Sequence, residues 1–88
     1  MRHHPNPSTA NERGRAYSEM GQYEKAVEDY GDAIRTDPKL VMAYVNRAIA
    51  FTFLGRDKEA QQDVDRAVSL GVHSDDLRTE IHIAKRRR

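Results

Sequence analysis

The chain of 88 residues has no cysteine, no tryptophan and only 3 prolines. Without cysteine, disulfide scaffolds, thiol chemistry, zinc-ribbon sites and thioredoxin-like redox motifs are excluded, and nothing calls for an oxidising compartment. No apolar run approaches the roughly 20 residues of a membrane span, and no signal-peptide core stands out, so the sequence reads as soluble and cytoplasmic. An excess of one charge is missing too: 15 Lys and Arg meet 14 Asp and Glu. Because Lys85 to Arg88 hold four of the positive charges, residues 1–84 carry 11 basic against 14 acidic side chains. A mildly acidic body with a basic terminal run lacks the spread of Lys and Arg over one surface that nucleic-acid binding needs. A chain this short buries only about 60% of its extended surface, which leaves little room for an enclosed catalytic pocket.

Catalytic and metal-binding patterns are also wanting. The four histidines are His3, His4, His73 and His82. The first pair sits in a Pro-rich start, and the second is nine apart, neither an i,i+4 metal pair nor an HExxH arrangement. Asp63 and Asp65 point to different faces of a helix, and Asp75 with Asp76 marks a helix start, so no acid and base pair is indicated. The expectation is a non-enzyme with no catalytic residues, no metal and no cofactor.

What is present is a repeat. Shifting the sequence by 34 residues aligns Arg13 with Arg47, Ala16 with Ala50, Gly21 with Gly55, Ala26 with Ala60, Asp29 with Asp63 and Ala33 with Ala67. Small residues repeat as small and large as large: Gly14 meets Ala48, Tyr17 meets Phe51, Met20 meets Leu54, Ile34 meets Val68. Apolar positions three and four apart predict two helices per copy, broken at Gly21 and Gly55. Two start signals compete for the first helix, Asn6 before Pro7 and the capping-box spacing of Thr9 with Glu12. Asp37-Pro38 closes the first pair. The second pair runs from about Leu40 to Leu54 and from Asp57 to Leu70, where Gly71 provides a stop. Ser74 opens a fifth helix, acidic at its start and basic at its end, as the helix dipole favours. Gly14, Ala16, Ala48 and Ala50 leave gaps for bulky Tyr17, Met20, Phe51 and Leu54. Gly31, inside a helix, costs about 0.5–1 kcal/mol relative to Ala, so either a close neighbour demands it or the helix is locally weak.

These residues resemble the tetratricopeptide repeat (TPR) family. The matching positions are Gly14, Tyr17, Met20, Gly21, Tyr23, Ala26, Tyr30, Ala33, Ile34 and Pro38, then Tyr44, Ala48, Phe51, Leu54, Gly55, Ala60, Ala67, Val68 and Leu70. Ala10 replaces the usual aromatic, Arg13 and Arg47 replace a Leu, and Val72 stands where Pro would close the second copy. The resemblance implies an all-α fold, antiparallel helix-turn-helix repeats in a short right-handed α-solenoid of five helices. A disordered segment 1–6 precedes repeat one (7–40), repeat two (41–73) and a capping helix (74–88).

The resemblance also implies a non-catalytic interaction scaffold whose first helices line a concave groove for partner peptides. Helical geometry places Asn11, Arg15, Ser18 and Glu19 on the groove side of the first helix, and Met42, Val45, Asn46, Ile49 and Phe53 on that of the third. Val45, Ile49 and Phe53 form an apolar stripe, read either as ordinary core or as a binding surface for a protein or peptide. The alternative is a self-assembling module in which a second copy covers the same stripe, since two repeats and a cap are few for a stable array. The carboxylate clamp of chaperone adaptors is not expected. Asn46 matches a clamp Asn, but Asn11 and Arg15 stand where Lys and Asn belong, and Asp76 and Glu80 repel a carboxylate where two bases are needed. The basic run Lys85 to Arg88 reads as a solvated helix end favoured by the dipole.

Overall fold

Asn6 decides where the first helix starts: its Oδ1 accepts a hydrogen bond from the Thr9 amide at 2.8 Å, and Pro7 follows at the first helical position, where its missing N–H costs nothing. Thr9 is already inside the helix, so the Asn6 signal is used and the Thr9 box is not. The computed structural model describes residues 6–88. Of the leading segment expected to be disordered, Asn6 is this cap, and residues 1–5, with His3 and His4, lie outside the described residues. Five helices follow: α1 (Pro7–Glu19), α2 (Tyr23–Thr36), α3 (Val41–Phe53), α4 (Asp57–Ser69) and α5 (Ser74–Arg87).

The turns inside both repeats are the same construction. Gly21 and Gly55 have φ of 76° and 75°, a left-handed backbone that a side chain resists, and each lets the next residue fold back onto the helix. Gln22 donates its amide to the Tyr17 carbonyl and Arg56 donates to Phe51, the pairing of a Schellman motif. Between the repeats, Asp37 Oδ1 accepts from the Lys39 amide, and the Tyr44 hydroxyl donates to the Pro38 carbonyl at 2.9 Å.

α1 pairs with α2 and α3 with α4 as hairpins, α2 packs against α3, and α3 lies between α1 and α5. The described chain spans 42 × 28 × 17 Å. Its thin dimension fits two layers of helices about 10 Å thick, so the molecule is an all-α solenoid slab. Alanines close the helix junctions: Ala10, Ala33 and Ala43 form one buried cluster, Ala26 and Ala50 hold Tyr30, and Ala67 meets Tyr44 and Leu77. Ala16 and Met20 depart from the expected packing, and Met20 is 61% exposed. Ala50, the counterpart of Ala16, is buried because α2 lies against it, whereas among the described residues no helix precedes α1.

The arginines that break the family pattern have partners. Arg13 donates from Nε and Nη2 to both Asp29 oxygens at 2.8 Å, and Arg47 repeats the geometry on Asp63 34 residues later. Both aspartates are buried, so each hairpin is tied across its two helices by a fork of charge-assisted hydrogen bonds. The hydrogen bond to Asp63 also raises the pKa of the half-buried Arg47 further above the physiological range, against the opposing effect of burial.

Candidate functional site

α3 carries the apolar side chains in question because it is the most hydrophobic helix and also the central one. Ala43, Tyr44, Ala48, Ala50 and Phe51 are buried against its neighbours, which leaves one side of the helix for Met42, Val45, Asn46 and Ile49. Met42 is 53% exposed, whereas Val45, Asn46 and Ile49 are half-buried. The expected meeting of α1 and α3 on this side includes a side-chain hydrogen bond: Asn46 Nδ2 donates to Asn11 Oδ1 at 3.1 Å. Arg15 is exposed on α1, and its charge is felt by the Tyr30 hydroxyl. Burial nevertheless pushes the pKa of that hydroxyl up, with a hydrogen bond to Ser18 pulling the other way.

Phe53 sits differently from the rest of the stripe. Its ring stacks on Tyr23 of α2, with centroids 4.6 Å apart and planes within 4° of parallel. The Phe53 ring is therefore part of the packing between repeats as well as a member of the α3 stripe.

Met42 and Val45 line a cleft of about 380 Å³ with Val72, Leu77 and Thr79, edged by Asp76 and Glu80. Neither carboxylate forms an ion pair among the described residues. Thr52, beside the stripe in sequence, is fully buried with its hydroxyl donated to the Ala48 carbonyl, which takes it out of the surface. Among the described residues no cluster of three or more His, Asp or Glu side chains is arranged to hold a metal ion, and no helix is long and apolar enough to cross a membrane.

Arg88 is the feature sequence reasoning missed. It donates from Nη1 to the Thr52 carbonyl at 3.0 Å and to Asp57 at 2.6 Å, so one member of the basic run fastens the end of α5 to the α3–α4 turn. The hydrogen bond from Arg88 holds the Asp57 carboxyl below the usual carboxylate range. No local pattern links residues 31 positions apart, so the sequence carried no signal for this contact.

Comparison with known proteins agrees with this architecture. A TPR repeat family profile matches residues 14–55. Hsp70-Hsp90 organizing protein 3 of Arabidopsis thaliana is 36% identical over 59 residues, 67% of this chain and 11% of the relative. Stress-induced-phosphoprotein 1 of Caenorhabditis elegans is 34% identical over 68 residues, 74% of this chain and 21% of the relative. The human mitochondrial import receptor subunit TOM70 is 39% identical over 66 residues, 69% of this chain and 11% of the relative. The chain thus spans about a tenth to a fifth of these relatives' length. No solved structure matches. The 34-residue repeat, the paired glycine turns and these matches together place the chain in the tetratricopeptide repeat family, whose members serve protein–protein interaction.

Proposed function

We propose that this chain is a non-catalytic, cytoplasmic scaffold module that receives a peptide or protein partner on the concave face formed by α1, α3 and α5. The observation that carries the reading is the exposure of Met42 at the mouth of an apolar cleft, continued along α3 by Val45 and Ile49 and bordered by the Asn11–Asn46 pair. Apolar side chains give affinity, and the amides beside them are suited to an extended backbone. Arg15 and Phe53 complete the proposed face, Phe53 at the end where it also stacks on Tyr23. The names of the relatives tie them to Hsp70 and Hsp90 and to mitochondrial import. For this chain a carboxylate clamp is left out of the proposal, because Asp76 and Glu80 edge the cleft and repel a terminal carboxylate.

Selection of a displayed peptide library on the intact chain, followed by measurement of the enriched peptides on Met42→Glu and Ile49→Glu, tests the reading. A loss of roughly tenfold or more in affinity with unchanged helicity is expected; equal binding to both variants contradicts it. Self-assembly through the same stripe is the competing reading, favoured by the same exposed Met42. Sedimentation velocity over a broad concentration range separates them: a monomer throughout supports partner binding, and a dimer dispersed by Ile49→Glu supports self-assembly.

A further inference from the structure

The junction between α4 and α5 is open where its equivalent one repeat earlier is closed. α2 packs along α3, but α5 leans on α3 and scarcely touches α4. The cause is in the side chains. The 34-residue shift puts Val64 where buried Tyr30 fills the earlier junction against Ala50, so the α4–α5 junction lacks that ring. The result is a cleft of about 430 Å³ floored by Val64, Val68 and Ile81 and walled on the α5 side by Arg78, His82 and Lys85. Val68 is among the exposed large apolar residues, and neither Arg78 nor Lys85 forms an ion pair among the described residues. The carboxylate of Asp65 on the opposite lip accepts a hydrogen bond from Gln61 of its own helix.

We propose that this α4–α5 cleft is a second interaction surface, separate from the α1–α3–α5 face, and that it takes an acidic amphipathic helix of a partner protein. The match is one of shape and charge. An apolar ridge at i, i+3, i+4 and i+7 lies on Val64, Val68 and Ile81, replacing the bulk the second repeat lacks, while Glu or Asp side chains beside the ridge meet Arg78 and Lys85. A basic helix is disfavoured by the same two charges. The cation pair, unlike the apolar floor, distinguishes this occupant from a generic hydrophobic one.

The test uses the intact chain and two blocked peptides of about 18 residues, long enough to hold a helix, with Leu along one face and either Glu or Lys on the other. The Glu peptide is expected to bind roughly tenfold tighter than the Lys peptide, to weaken as salt rises, and to move the amide resonances of Val64, Val68, Ile81 and His82. Arg78→Glu with Lys85→Glu should lose roughly tenfold or more of that affinity with far-UV circular dichroism unchanged. Val68→Glu, at an already exposed position, supplies a second variant: it puts a negative charge into the apolar floor and is expected to weaken binding of the Glu peptide as well. Equal binding of the two peptides, no binding of either, or resonance shifts at Met42, Val45 and Ile49 in place of the cleft overturns the proposal. So does a homodimer whose interface is the cleft, because the occupant is then a second copy.

Discussion

Gly14 lies under the ring of Tyr30, and a methyl group built on it would come within 2.5 Å of Cε1. Tyr30 is 1% exposed and packed by Ala26 and Ala50, so the ring has no room to retreat. The second repeat solves the same junction with Ala48 opposite Val64, trading ring volume for a methyl group. At Gly31 a methyl group would meet only side-chain ends, Arg47 Nη1 at 3.6 Å and Arg35 Nη1 at 3.9 Å. Of the two sequence readings for Gly31, the structure leaves local helix weakness. Gly14→Ala is therefore expected to destabilise by about 1–3 kcal/mol and Gly31→Ala to stabilise by about 0.5–1 kcal/mol, measured by denaturant unfolding. The reverse order would contradict this packing. At residue scale the sequence showed the identities Arg13/Arg47 and Asp29/Asp63 but not their pairing, because a spacing of 16 is neither a helix-face nor a strand period. The fork also explains why both aspartates tolerate burial. Removing the Arg47 guanidinium leaves Asp63 buried and unpaired, a cost of about 3 kcal/mol.

The helices themselves were legible from the sequence to within a residue or two at their ends, since glycine turns, Asp37-Pro38 and 3.6-residue periodicity all act locally. What was not legible was how α5 is held. Its buried side chains are Leu77 and Ala84, and Arg88 supplements them from the far end. Because Arg88 lowers the folded-state pKa of Asp57, the ion pair contributes stability above the unfolded-state value, and that contribution is lost as pH falls through the lowered one. The gap in Tm between the native chain and Arg88→Ala should thus be open at neutral pH and narrow on acidification. A gap that does not change with pH would assign the contact no electrostatic role.

On the scale of the whole molecule, α3 is buried by its neighbours except on the side that bears Met42, Val45 and Ile49, and α5 closes that side only in part. The helical wheel identified this set because side-chain direction follows helix period. It did not separate Phe53 from the set, because the Tyr23 ring arrives from another helix. The most direct measurement is titration of a selected peptide into the isotope-labelled chain, read as changes in amide resonances. Shifts centred on Asn11, Met42, Val45, Asn46 and Ile49 are expected for partner binding on the concave face; a bound peptide that leaves these resonances unmoved would contradict it.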